Sequence, residues 1–258
     1  MLDWLNQLDL ALLYPVGVVL IAGAAEIGNV CGRRFRSTEQ PGDDLGTLTG
    51  AALGLLALLL AFSFSIALAR FDSRRDLVLS EANAIGTTAN YALMLPQPEQ
   101  GKILALLRDY TRLRVSLGIP YDPARFDRDI ARSVELQQLL WQQAMAATAA
   151  APQSLPAYRF VASLNEMNNI HESRVTALRY HVPNEVMFLL LCVAMVALGF
   201  TGYHAGVSGA SRRVPNLIMA VTISVLVMLV IDLDRPTRGV IQVPNQPLID
   251  AGAGLPPP

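Results

Sequence analysis

The 258-residue chain is 52% apolar and only 16% charged, with a formal net charge of -1. Soluble domains carry roughly 25% charged residues, and here the deficit is local: four windows are almost free of charge and the sequence between them is ordinary. That pattern excludes a soluble core whose apolar residues are spread by helix or strand period, and the near-neutral balance provides no basic field for nucleic acid.

Met1 to Asp9 holds no Lys or Arg and two Asp, the opposite of a signal peptide's basic start, so the first apolar run is expected to stay as a span. Span 1 is placed at 10–30. Its charge-free part ends at Ala25, short of the roughly 20 residues needed to cross the hydrocarbon core, so Glu26 must sit at or just inside one interface. Glu26 and Asn29 form a polar pair at helical spacing. They read either as an intramembrane functional site or as an interface anchor neutralised by Arg33 and Arg34. Cys31 and Cys192, the two cysteines, read as small apolar filler, with no support for a disulfide or thiol chemistry.

Span 2, at 46–69, is the clearest. It opens with Gly46, Gly50 and Gly54, two overlapping GxxxG repeats that make a groove for a close-approaching helix. Small residues continue at Ala57, Ala61, Ser65 and Ala69. The stripe fits helix packing, within or between subunits, or a pore lining, and the two agree if span 2 lies near a symmetry axis. Phe62-Ser63-Phe64-Ser65 is either ordinary packing or a dewetting constriction with hydroxyls that assist an anion.

The exit of span 2 is densely charged: Arg70, Asp72, Arg74, Arg75 and Asp76, then Glu81 and Asn83. No stop signal follows until Leu95-Pro96-Gln97-Pro98, so the helix is expected to run on out of the membrane. The insert at 71–183 reads as helices broken by proline. A helix from Glu99 to Leu117 carries Ile103, Leu106, Leu107, Tyr110, Leu113 and Leu117 on one face. Asp122 caps the next, with Pro123 at its first position and Phe126, Ile130, Val134 and Trp141 as its apolar face. Ala144 to Pro152 is featureless. A further helix starts near Leu155 with the stripe Val161, Leu164, Met167, His171, Val175 and Leu178. Glu166, Asn169 and His171 could be imagined as metal ligands, but their spacing matches no metal motif, and buried polar contacts between insert helices, made by Glu81, Asn83, Asn165, Glu166 and His171, are the better reading.

Span 3 is placed at 186–203 and span 4 at 214–231, with Pro215 in its first turn. Span 4 exits into Asp232, Asp234, Arg235 and Arg238 on the side reached by span 2. Carboxylates at the apolar boundary need partners, so Asp232 or Asp234 is expected to pair with Arg70 or Arg74. The cluster reads as a clamp joining span exits or as an ion vestibule. The tail, 239–258, is expected to be extended and then disordered. An all-α membrane protein follows: four transmembrane helices with a helical bundle between spans 2 and 3. The short loops carry Arg33, Arg34, Arg36, Arg212 and Arg213, which by the positive-inside rule puts them in the cytoplasm and the insert outside. No nucleophile–base pair, phosphate loop or metal motif appears, so an enzyme and a bound cofactor are not expected.

Three stretches resemble a family of uncharacterised bacterial membrane proteins termed bestrophin-like: LLALLLAFSFSIALARFDSRRDLVLSEANAIGT from Leu55, LNEMNNIHESR from Leu164, and LVIDLDRPTRGVIQVPNQPLID from Leu229. Bestrophins proper are oligomeric anion channels with four spans and a helical domain, so the resemblance implies a homo-oligomer in the plasma membrane that passes a small inorganic ion. Two departures accompany it. The soluble domain of bestrophins is cytoplasmic, and their pore neck and calcium clasp have no alignable counterpart here, so Asp232 and Asp234 are not carried over as a clasp. The rival reading is a non-conducting scaffold or sensor whose insert binds a partner.

Overall fold

A computed structural model describes residues 10–35, 43–117, 123–209, 213–235 and 239–256. These form eight helices: α1 (Leu10–Arg34), α2 (Asp43–Ala92), α3 (Glu99–Ser116), α4 (Pro123–Ala150), α5 (Leu155–Arg179), α6 (Asn184–Ser208), α7 (Arg213–Asp234) and α8 (Gln246–Gly254). The described residues contain no strand. Two compact units divide them. The first comprises 1–69 and 181–241, the second 70–180 and 242–258.

The first unit holds the four apolar helices, each long enough to cross a membrane. The protein is an all-α membrane protein with four spans. Ile21, Leu56, Leu190, Ala194, Ala197, Leu198 and Ala220 are the buried seam of this unit. α1, α6 and α7 make the close helix–helix approaches, and α2 joins them through Leu53, Leu56, Leu59 and Leu60. Hydroxyls inside the spans return to their own helix. Thr49, Thr201, Thr222 and Ser224 each donate to the carbonyl four residues back, which removes the cost of placing them in an apolar setting. α6 stops at Gly209, whose φ of 64° is the left-handed conformation that glycine adopts without penalty.

The closest approaches in this unit use glycines that the sequence reading passed over. A Cβ on Gly28 or Gly32 of α1 would collide with the backbone of Gly199, Tyr203 and Gly206, and one on Gly202 or Gly206 of α6 with that of Ala25 and Asn29. Gly28–Gly32 and Gly202–Gly206 are each a GxxxG pair. Close backbone contact, rather than hydrophobicity, holds helices together in lipid. Gly46, Gly50 and Gly54 of α2, by contrast, would meet nothing within 4 Å.

The second unit is a helical bundle with its own core: Ile85, Ala89, Ile103, Leu107, Tyr110, Leu136, Leu140, Phe160, Leu164 and Met167. α2 runs unbroken into it, as the lack of a stop signal predicts. Ser154 caps α5, its hydroxyl accepting from Ala157 N at 3.3 Å.

Three expectations need correction. α4 continues through the featureless alanines to Ala150, because Ala144 and Ala147 are buried core residues. Its buried face is Phe126, Ser133, Leu136, Gln137, Leu140, Ala144 and Ala147; of the predicted stripe Phe126 is buried, Ile130 and Val134 are half-buried, and Trp141, 37% exposed, lies off that face. The tail is neither extended nor disordered over 246–254: it forms α8, which packs on α3 and places Leu248 in the core. The proposed cap Asp122 lies outside the described residues.

Candidate functional site

The bundle core encloses one carboxylate. Glu81 of α2 is fully buried and accepts from Arg114 of α3 (Nε 2.6 Å, Nη2 3.3 Å), from Arg174 Nη1 of α5 at 2.5 Å and from the Tyr110 hydroxyl at 2.9 Å. Burial by itself would raise the Glu81 pKa, but the two guanidinium groups outweigh it and hold the carboxyl at about 2. Tyr110 is pushed up by burial and by the Glu81 charge.

His171 of α5, also fully buried, places Nδ1 3.1 Å from the Tyr110 oxygen. A carboxylate can only accept, so the Tyr110 proton goes to Glu81 and the tyrosine oxygen accepts from His171 Nδ1–H. Burial, followed by the Arg114 charge, lowers the histidine pKa to about 4, so the ring is neutral at pH 7 with Nε2 as its free acceptor. Arg174 Nη2 donates to Asn245 Oδ1 at 3.3 Å, and Asn245 Nδ2 donates to Val115 O at 3.1 Å. Glu81 supplies one negative charge against two positive ones. Arg114 Nη1, Arg174 Nε and His171 Nε2 make no hydrogen bond among the described residues.

This cluster draws on each of the three stretches singled out in the sequence: Glu81 from the first, His171 and Arg174 from the second, Asn245 from the third. Tyr110 and Arg114 lie outside them. Arg114 gave no signal, being one arginine among the helix's charges, and only its 0% exposure marks it. Other residues expected in buried insert contacts are elsewhere. Asn83, Asn165 and Glu166 are exposed: Asn83 lines a groove beside α8, and Asn165 lines one between α4 and α5.

The charged span exits anchor chain segments. Asp232 is 2% exposed and accepts from two successive amides, Val240 N to Oδ1 at 2.8 Å and Ile241 N to Oδ2 at 3.0 Å. The backbone reaches it because residue 239 is glycine: a Cβ there would lie 2.6 Å from Asp232 Oδ1. Asp234 Oδ2 accepts from Val182 N at 2.8 Å, just ahead of α6. Arg74, 3% exposed, donates to Ala177 O at 3.1 Å and Tyr180 O at 2.8 Å, covering the last carbonyls of α5. The sequence expected arginine partners for the two aspartates, whereas the partners found for Asp232 are backbone amides. Asp72 and Arg75 are exposed, Arg70 is half-buried, Arg235 is buried, and Arg238 lies outside the described residues.

On α2, Thr49, Leu56, Ser63 and Ala67 face the neighbouring spans. Ser63 is therefore buried, while Phe62 and Phe64 beside it are exposed. Gly46, Gly50, Gly54, Ala57, Ala61 and Ser65 are exposed. Only 17% of the most apolar window of α2 is buried, against 28–33% for the other spans, so this helix has the most surface left for a partner.

The model of the bestrophin-like domain matches residues 19–248. The chain belongs to the bestrophin-like family. No curated protein matches this bestrophin-like sequence. Among solved structures, a bacterial bestrophin homologue from Klebsiella pneumoniae is similar, with a TM-score of 0.67 at 16% identity over 96% of this chain and 100% of that one. A point variant of the same homologue gives 0.70 at 14% identity over 93% and 97%. At such identity the likeness establishes the fold shared by this bestrophin-like chain and the bacterial homologue.

Proposed function

We propose that the protein assembles as a homo-oligomer around α2 in the bacterial plasma membrane and conducts a small inorganic anion. The observation that carries this is the uncovered face of α2, where Gly46, Gly50 and Gly54 meet open space inside one protomer. In lipid, a run of small residues is a surface for another helix. No carboxylate stands between Asp44 and Asp72 on α2, which suits an anion, and the family's layout supports a channel. Flux assays on protein reconstituted in liposomes test it. Chloride efflux well above that of Gly50→Leu, which removes the close-approach groove, is expected; flux equal to protein-free liposomes sinks the channel and leaves the scaffold reading.

The soluble unit and both termini share one side of the membrane, since four spans return the chain to where it began. The short-loop arginines support placing that side outside. A C-terminal alkaline phosphatase fusion is expected to be active in cells, and activity only from a cytoplasmic reporter reverses the orientation.

A further inference from the structure

Glu26, half of the polar pair that the sequence places inside span 1, lines a recess between α1 and α7. The recess encloses about 350 Å³ and is formed by Ala22, Ala25 and Glu26 of α1 with Asn216 and Leu217 of α7. Both helices are membrane spans, and Glu26 is exposed on the surface that lipid covers. Asn216 is 9% exposed, and its side chain makes no hydrogen bond among the described residues. Asn29, also buried, donates through Nδ2 to Glu26 Oε2 at 3.5 Å and leaves its own Oδ1 without a partner. Arg33 and Arg34, the neutralising partners expected for Glu26, are exposed at the end of α1. Arg33 follows Glu26 by two turns, about 10 Å of helix rise. A carboxylate and unsatisfied carboxamides set in hydrocarbon cost free energy, and a ligand that brings donors reduces that cost.

The chemistry of the lining selects the ligand. Glu26 offers a negative charge and only acceptors, the Asn216 carboxamide offers a further acceptor, and no basic residue is among the described lining. A positive group that carries N–H donors satisfies both. Around this polar spot the helix surfaces are apolar: Ile27 and Val30 of α1 and Val214, Leu217 and Ile218 of α7 are exposed. A ligand that fits therefore joins a cationic head to hydrocarbon chains. The depth agrees, since Asn216 lies in the first turn of α7, which begins at Arg213, and the recess sits toward the headgroup end of the spans. We infer that the α1–α7 recess binds the primary ammonium headgroup of an aminophospholipid, separate from the α2 face. Glu26 pairs with the ammonium, Asn216 Oδ1 accepts one of its N–H groups, and the acyl chains lie along the exposed apolar residues. A quaternary ammonium head has no N–H to give and fits less well.

Native mass spectrometry of the full-length protein in detergent tests this, with phosphatidylethanolamine, phosphatidylcholine and phosphatidylglycerol of identical chains titrated in turn. Phosphatidylethanolamine is expected to bind about fivefold more tightly than phosphatidylcholine, the effect of one ion pair. Glu26→Gln keeps the shape and removes the charge, so it should erase that preference and leave the melting curve unchanged. Asn216→Leu should weaken phosphatidylethanolamine binding with the carboxylate still in place. Equal affinity of the unmodified protein for the two zwitterionic lipids overturns the site, whether or not the variants fold, and so does a preference that survives Glu26→Gln. Tighter binding of phosphatidylglycerol than of phosphatidylethanolamine means that the short-loop arginines dominate, which also overturns it. Displacement of the lipid by millimolar ethanolamine means that a free amine suffices and overturns the lipid assignment. None of these outcomes depends on ion flux, so the channel reading stands or falls separately.

Discussion

Glu81 shows how a membrane protein can keep a dense polar group in the core of a helical bundle. One carboxylate takes four hydrogen bonds from Tyr110, Arg114 and Arg174, and breaking such a buried set by removing one partner costs about 3–5 kcal/mol. His171 adds a pH dependence with a definite sign. Its folded pKa of about 4 lies below the 6.5 of the free side chain, so as pH falls through 6.5 the unfolded chain takes a proton that the folded chain refuses. Stability contributed by the neutral ring is complete above pH 6.5 and is lost on descent toward pH 4, with a slope of at most about 1.4 kcal/mol per pH unit. Thermal melts in detergent from pH 7 to 4.5 should show this decline, and His171→Gln should flatten it. A decline of equal slope in the variant would assign it to other groups. The three motif stretches were legible as sequence, but their convergence on Glu81 was not, because residues 81, 171 and 245 meet only through tertiary packing.

Glycine repeats that look alike in sequence behave differently at the scale of whole helices. Gly28, Gly32, Gly202 and Gly206 seat α1 against α6 with backbones in contact, whereas Gly46, Gly50 and Gly54 leave α2 bare. The two substitutions should therefore separate. Gly202→Leu must push the helices apart and is expected to abolish the folded protomer, read as loss of a monodisperse peak in detergent chromatography. Gly50→Leu should leave the protomer folded and reduce the number of subunits found by native mass spectrometry. If Gly50→Leu unfolds the protomer instead, the open face of α2 is misread. The α2 repeat stood out in the sequence because it lies in an uninterrupted apolar run; the α1 repeat sits among Glu26, Asn29 and Arg33, where polar residues mask it.

For the molecule as a whole, the C-terminal segment is structural. Leu248 is fully buried in the core of the second unit, and Arg108 donates to the carbonyls of Leu255 and Pro256. Leu248→Ala should cost about 2–5 kcal/mol, seen as a lower melting temperature and faster proteolysis between Arg70 and Tyr180. An unchanged melt would mean that α8 is dispensable. The sequence by itself determined the membrane class, the four spans, the unbroken α2 and most insert helices, because hydropathy and proline breaks are local properties of the chain. Tertiary structure decided which face of α4 is buried, that the Gly/Pro-rich tail folds as α8, and which amides satisfy Asp232. Each of those depends on what lies across the contact, and a residue's partner is not written in its own neighbourhood.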